Sequence, residues 1–216
     1  NKDSKIIFHS QNLNDLKIKI ASLNTEVLKR TPGMDQFGFT GCLNIYDSKI
    51  RNLEISSVNA QCEDAVNFVR VDGSINKLEI NNALFDGLDS DFSNILFEKV
   101  TVNNSGNDCL DFSFGNYEIQ NSELKTCGDK AISVGELSEV LVDETNINKA
   151  ESGIVSKDFA KTRVLNTNIK NTDVCFQAYN KKQEFAGGYL EIKNINCDKT
   201  NRKKFNKDKV SEIILK

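Results

Sequence analysis

Hydrophobic positions recur along this chain with a long, regular period. From residue 41 the sequence divides into a piece of 23 residues, five pieces of 22 residues and a seventh, looser piece that begins at residue 174. Each piece holds three short segments in which apolar and polar residues alternate, as they do in half-buried strands. Asn-rich turns follow the third segment, for example at residues 81–82 and 103–104. The pattern predicts three short strands in every repeat.

Three apolar positions recur from piece to piece. The first ladder is Leu43, Val66, Leu88, Leu110, Ile132, Ile154 and Phe176; the second is Ile50, Ile75, Phe97, Ile119, Val142, Val164 and Leu190; the third is Ile55, Ile80, Val102, Leu124, Ile147, Ile169 and Ile195. One coil of this size cannot bury its own apolar side, so coils must stack, with like residues about 4.8 Å apart. We therefore predict an all-β parallel β-helix, a solenoid of about seven coils of about 22 residues, capped at both ends.

The repeat frame also predicts the domain organisation. Residues 1–40 do not fit the frame and are expected to form an N-terminal cap or an irregular first coil. Residues 41–197 form the β-helix, and residues 198–216 a C-terminal cap or tail. The chain starts without Met or an apolar leader, so we expect it to be part of a longer chain. The sequence contains no stretch of 18 apolar residues, so we expect no membrane insertion.

Composition narrows the function classes. The net charge is −3, and no basic excess suggests a nucleic-acid partner. Six cysteines occur without a CxxC pair, which argues against a zinc ribbon. Three of them share the small-residue position of the repeat, and we expect buried free thiols there, because free Cys behaves as a small apolar residue. An even count would also permit disulfides in a secreted protein. The shared position holds Cys42, Ala65, Gly87, Cys109, Ala131, Gly153 and Cys175.

Aspartates concentrate on one predicted surface of adjacent coils. They are Asp86, Asp89, Asp91, Asp108 and Asp111. Like charges at strand spacing are destabilising and raise carboxylate pKa values, so the cluster needs compensation. Lys130 or Lys157 could supply it, as could a bound Ca²⁺ held by Asp89, Asp91 and Asp111, or a protonated carboxyl used as a general acid.

A structural explanation competes for some of these aspartates. Asp is favoured in turns because it accepts local backbone hydrogen bonds, so Asp86 and Asp108 could serve as caps of bends. The explanation fits Asp89, Asp91 and Asp111 less well, because these occupy strand positions, where Asp is disfavoured.

Four segments within residues 85–157, "FDGLD", "GNDCLDF", "GDKAISVGE" and "GIVSK", carry a family resemblance. In order and coil spacing they resemble the signatures of polygalacturonase-type glycoside hydrolases, approximately NTDGI, DDCIAI, GHGISIGS and IRIK, on a right-handed β-helix of the pectate-lyase-like superfamily. Asp86 matches the aspartate of the first signature, Asp108 the second aspartate of the next, and Lys157 the lysine of the last. The chain departs from the family at three positions: Asn107 replaces an aspartate, Lys130 the histidine and Val155 the arginine. The segments also resemble uncharacterised bacterial β-helix regions.

One irregular insertion, "AYNKKQEFAGGY" at residues 178–189, lies beside the acidic surface. Loops that leave a rigid scaffold often carry binding residues. Tyr179, Lys181, Lys182 and Glu184, together with Asp91, are therefore candidate substrate-binding residues, and aromatic and basic groups there would suit an acidic sugar. A solvated loop is the alternative.

Two functions follow from these residues. In the first, the protein binds or cleaves a polysaccharide, and the resemblance suggests a uronate-containing one. Asp86, Asp108, Asp89 and Asp111 would then supply acid and base, with Lys130 or Lys157 as base or charge partner, in a hydrolase, lyase or epimerase. In the second, the solenoid is a non-catalytic binding or structural module of a larger surface, adhesin or phage-tail protein. The resemblance favours an extracellular or cell-surface location.

Overall fold

The computed structural model describes residues 5–22 and 33–216; the remaining parts of the predicted N-terminal region, residues 1–4 and 23–32, lie outside the described residues. The described chain is all-β and folds into a parallel solenoid of about eight turns, one more than predicted. Every strand pairing in it is parallel, which confirms the predicted fold class. No helix within the described ranges is long and apolar enough to cross a membrane.

Eighteen strands follow one another along the described chain, most of them grouped in threes to make one coil. They are β1 (Ile6–His9), β2 (Asn12–Asn14), β3 (Lys17–Ala21), β4 (Gly41–Ala60), β5 (Asp64–Ala83), β6 (Asp86–Asp91), β7 (Asn94–Phe97), β8 (Val100–Ser105), β9 (Leu110–Ser113), β10 (Asn116–Ile119), β11 (Ser122–Cys127), β12 (Lys130–Gly135), β13 (Glu139–Val142), β14 (Thr145–Lys157), β15 (Lys161–Tyr179), β16 (Tyr189–Asp198), β17 (Lys203–Lys207) and β18 (Glu212–Leu215). The long strands β4, β5, β14 and β15 pass through bends without a break in the sheet.

The first apolar ladder runs through the middle of the solenoid as predicted. Leu43 pairs with Val66, Val66 with Leu88, and Leu88 with Leu110, and the series continues to Phe176. All seven side chains are fully buried. Stacking like residues at each coil thus gives the core one continuous column of branched and aromatic side chains.

The ends of the other two ladders differ from the prediction. In the second ladder Leu53, not Ile50, pairs with Ile75, because β4 carries a bulge after Ile50. In the same ladder Ile192, not Leu190, pairs with Val164, because the insertion before β16 lengthens the interval between paired residues from 22 to 28. The third ladder is displaced in the same way at both of its ends, where Ile55 pairs with Leu78, and Cys197 replaces Ile195 opposite Ile169. At each of these ends both the predicted and the observed residue pack in or against the core, which is why the solenoid tolerates the shifts.

The predicted free thiols are wrong: all six cysteines form disulfides. The pairs are Cys42–Cys62, Cys109–Cys127 and Cys175–Cys197, whose partners are separated by 20, 18 and 22 positions in the sequence. Each pair joins the start of a coil to the end of the same coil. A disulfide therefore closes one turn of the solenoid and does not connect turns.

The small-residue position explains how the disulfides fit between coils. Along the stack it reads Cys, Ala, Gly, Cys, Ala, Gly, Cys, so that every third coil is closed. A Cβ on Gly87 would lie 2.5 Å from the carbonyl oxygen of Cys109, and one on Gly153 would lie 2.4 Å from that of Cys175. Glycine is needed in the coil that precedes a closed coil, because the backbones approach too closely there for any side chain.

Removal of one disulfide is expected to destabilise the fold without unfolding it. The Cys109→Ala/Cys127→Ala double variant should lose about 3 kcal/mol of unfolding free energy, since it frees a closed loop of about 20 residues in the unfolded chain. Urea denaturation of the variant and of the wild type, each with and without a reductant, measures the difference. Free thiols in the denatured, unreduced wild type would contradict the pairing.

Candidate functional site

Six aspartates converge on the outer side of the first strands of three successive coils. They are Asp64, Asp86, Asp89, Asp91, Asp108 and Asp111, and we call this surface the acidic face. Its columns follow from register: Asp64 pairs with Asp86, Asn67 with Asp89, and Asp89 with Asp111. The five aspartates that the sequence singled out are thus brought together, and Asp64 joins them from the coil before.

Two members of the acidic face cap the bends between coils. Oδ1 of Asp86 accepts hydrogen bonds from the backbone N–H of Asp108, at 2.7 Å, and from Nδ2 of Asn107, at 2.8 Å. Oδ1 of Asp108 in turn accepts the backbone N–H of Lys130, at 2.8 Å. Each carboxylate satisfies a donor of the next coil, so these two positions carry a structural role whatever else they do.

Asp89 and Asp111 have no comparable backbone partner. They lie opposite each other on adjacent strands, in β6 and β9. Asp89 accepts a long hydrogen bond of 3.3 Å from Nδ2 of Asn67. Oδ1 of Asp111 is buried without a hydrogen bond and lies 3.9 Å from Nζ of Lys157. The paired strand positions are therefore the part of the acidic face that the fold does not use.

Burial and mutual repulsion hold several of these carboxyls protonated at unusually high pH. Burial, reinforced by Asp108, raises the pKa of Asp86 to about 8. Burial also raises the pKa of Asp89 well above its usual range, with further contributions from Asp64, Asp91 and Asp111. The same cause raises the pKa of Asp64 to about 7 and the pKa values of Asp91 and Asp108 to about 6. At neutral pH the acidic face thus holds both proton donors and proton acceptors.

The predicted lysines lie at the edge of this surface, and each is paired. Lys130 makes ion pairs with Asp108, at 3.5 Å, and with Asp129. Burial opposes its charge, but the carboxylates of Asp108 and Asp129 outweigh burial and raise the pKa of Lys130. Lys157 is buried and donates to Oγ of Ser133 at 2.7 Å. Lys130 is therefore suited to be a charge partner and not a general base.

Within the insertion, residues 180–188 connect β15 to β16 and form a wall beside the acidic face. Oδ1 of Asp158 accepts the backbone N–H groups of Lys181, at 2.6 Å, and Lys182, at 2.8 Å. The side chain of Lys182 pairs with Glu136, which also accepts a 2.5 Å hydrogen bond from Ser113. Lys181 and Glu184 are exposed, whereas Tyr179 is half-buried directly above Lys157.

Sequence reasoning missed an apolar row at the turn that follows the first strands. We call Phe92, Phe114, Leu137 and Phe159 the apolar turn row. Phe92 and Phe159 are each 50% exposed, and the rings of Phe92 and Phe114 stack with centroids 4.6 Å apart. Phe185 of the insertion packs edge-on against Phe114 and Phe159. The sequence did indicate the apolar turn row, since Phe92 and Phe114 stand 22 residues apart, next to Asp91 and Ser113.

The apolar turn row is held in a costly backbone conformation. All four residues have positive φ, between 50° and 65°. A bulky residue in this region costs about 1–3 kcal/mol, whereas Asn and Gly are tolerated. The turn after the third strands uses asparagine at the equivalent conformation, as in Asn59, Asn82 and Asn104. Folding alone therefore gives no reason for phenylalanine at these turns.

Neither metal-site geometry nor similarity to known proteins identifies the site. No group of three or more His, Cys, Asp or Glu within residues 5–22 and 33–216 is arranged to hold a metal ion, so the calcium hypothesis for Asp89, Asp91 and Asp111 has no geometric support. Comparison of the chain with protein-family models, curated proteins and solved structures returned no match. The polygalacturonase-type resemblance therefore stays a prediction.

The raised pKa values predict how stability depends on pH. These carboxyls bind protons more tightly in the folded protein than in the unfolded chain, so their protonation stabilises the folded state. The stabilisation is complete below about pH 4 and is lost as pH rises through the folded pKa values. For Asp86 the loss extends to about pH 8. In Asp86→Asn, Oδ1 still accepts both N–H groups but carries no charge. We expect this variant to melt about 2–8 °C higher than wild type near pH 8, which corresponds to about 1–2 kcal/mol.

Thermal melts across the pH range, with Asp72→Asn as the matched control, measure this effect. Asp72 is exposed in a different part of its coil, and its Oδ1 accepts a hydrogen bond of 2.7 Å from Nδ2 of Asn94. The control should follow the wild-type curve. A variant Asp86→Asn that melts below wild type at every pH would contradict the assignment.

Proposed function

We propose that the acidic face binds and acts on a polysaccharide, with Asp89 and Asp111 as its central pair. The observation that carries the proposal is the register pairing of these two carboxyls on adjacent strands, with no structural task for either. Neighbouring strands lie about 4.8 Å apart, close to the separation of about 5–5.5 Å between the carboxyls of retaining glycosidases. The apolar turn row follows directly after the strands that carry the pair, and the insertion reaches the same side through the ion pair of Lys182 with Glu136.

The two carboxyls have environments suited to different tasks. The raised pKa of Asp89, caused first by burial, keeps this group protonated and able to donate to a glycosidic oxygen. Asp111 lies 3.9 Å from Nζ of Lys157, so a positive charge stands beside this carboxyl. In a hydrolase, Asp111 would then act as nucleophile or base; in a lyase or an epimerase it would abstract a proton. Asp86 and Asp108 hold the bends on which this pair is mounted.

Location and substrate charge bear on the same proposal. Three disulfides are typical of proteins in an oxidising compartment, which supports an extracellular or cell-surface setting. A uronate polymer would need a cation for its carboxylates, and the lysines of this surface are already paired with acidic side chains. The uronate version of the proposal is therefore the weaker one.

A non-catalytic binding module is the second candidate function. The exposed apolar turn row favours it, because aromatic rings on a rigid scaffold bind sugar rings without chemistry. The two candidates differ in one observable, which is the turnover of a bound glycan.

A polysaccharide panel tests the proposal. Neutral, uronate and amino-sugar polymers are incubated with the protein in Ca²⁺ or in EDTA, and reducing ends and unsaturated products are measured. We expect Asp89→Asn to lose at least about 100-fold of the turnover while its melting temperature stays at or above that of wild type. Asp72→Asn should retain full turnover.

The other outcomes separate the candidates. Binding without turnover by the wild type would favour the binding module. Neither binding nor turnover across the panel would overturn both candidates.

A further inference from the structure

Resting on the proposed polysaccharide function, we propose that the glycan bound at the acidic face carries protonated amino groups. Its sugar rings would lie on Phe92 and Phe114, and its ammonium groups would meet the carboxylates of Asp91 and Asp111. The ligand class is thus an oligosaccharide of amino-sugars with free amines, opposite in charge to a uronate polymer.

Charge complementarity is the first argument. The surface and its rim carry eight acidic side chains and three lysines in the described chain. The acidic ones are Asp64, Asp86, Asp89, Asp91, Asp108, Asp111, Asp129 and Glu136; the lysines are Lys130, Lys157 and Lys182. Each lysine lies within ion-pair distance of an acidic side chain. Acidic groups outnumber lysines here, so an anionic ligand would find no free positive partner. A cationic ligand would instead favour ionisation of the carboxyls that burial keeps protonated and would offset their mutual repulsion.

Unsatisfied acceptors are the second argument. Asp64 and Asn67 are each 2% exposed, and Oδ2 of Asp64 and Oδ1 of Asn67 have no hydrogen-bond donor. Oδ1 of Asp111, two coils further along the column that contains Asn67, also lacks one. Asp64 lies opposite Asp86 on the adjacent strand, so it belongs to the same cluster. Buried acceptors without donors are costly, and an ammonium group supplies three N–H donors with a positive charge.

The aromatic pair is the third argument, and it selects a sugar over a simple cation. Phe92 and Phe114 stack with an interplanar angle of 4°, so they present a continuous edge beside the acidic face. Phe92 directly follows Asp91 in the chain, at the turn where φ is 52°. An amino-sugar offers apolar C–H groups to the aromatic pair and a cation to the carboxylates. One ligand would then contact both the aromatic pair and the carboxylates.

Binding measurements with short oligomers test the inference. The probes are a glucosamine hexamer, the fully N-acetylated hexamer, a galacturonate hexamer and hexalysine, titrated at about pH 6 into the whole protein, with mass spectrometry as the check that sugars stay intact. We expect the glucosamine hexamer to bind at least about tenfold more tightly than the other two sugars, and its affinity to fall with added salt. Phe92→Ala should weaken it by about three- to tenfold, Asp111→Asn by about tenfold, and Asp72→Asn not at all.

Each alternative outcome overturns a different statement. Equal or tighter binding of the N-acetylated or galacturonate hexamer would leave the polysaccharide function standing and overturn the charge inference. Hexalysine binding as tightly as the glucosamine hexamer, with no effect of Phe92→Ala, would show that the surface selects charge alone. No binding of any of the three sugars would overturn the inference, and the proposed function would then rest on the neutral polymers of the panel. The melting temperature of each variant shows that a lost affinity is not a lost fold.

Discussion

Parallel hydrogen bonding between successive coils is the interaction on which the rest of this structure depends. Because the backbone of each coil pairs with the next in register, position n of one coil lies directly over position n of its neighbours, about 4.8 Å away. A residue type that is favourable once is then repeated as a column. The inward columns become the core, and the asparagines of the turns become a ladder in which Asn104 donates to Asn82, and Asn82 to Asn59.

The same in-register pairing makes a column of like charges destabilising. Asp89 and Asp111 repeat a carboxyl at strand spacing, where like charges repel and burial removes the water that would screen them. At the bends a carboxyl is offset by the N–H group of the next coil, as in Asp86 and Asp108. On the strand no such donor exists. An aspartate at a bend therefore stabilises the fold, whereas an aspartate on a strand destabilises it, although the residue type is the same.

Periodicity in the sequence was enough to predict the fold and the columns, because backbone register translates a 22-residue interval directly into contact. It could not predict the ends of the second and third ladders, where a bulge after Ile50 and the insertion before β16 shift the frame. The disulfides were missed because each bridge closes a single coil, so the partners stand in one repeat and in different columns. The Cys-Ala-Gly order of the small-residue position was visible, but its meaning depends on how closely the Gly87 backbone approaches Cys109.

The sequence predicted the aspartates of the site but not the apolar turn row, for a related reason. Alternation along a strand says which residues point outward, so it brought the five aspartates together. It says nothing of backbone conformation at a turn, so the positive φ of Phe92 and Phe114 became apparent only in the structure. A solenoid is free to vary only what points outward, and features that cost stability there without capping a bend or filling the core are the ones that function must explain. The Asp89–Asp111 pair and the apolar turn row both meet that condition, and they lie side by side.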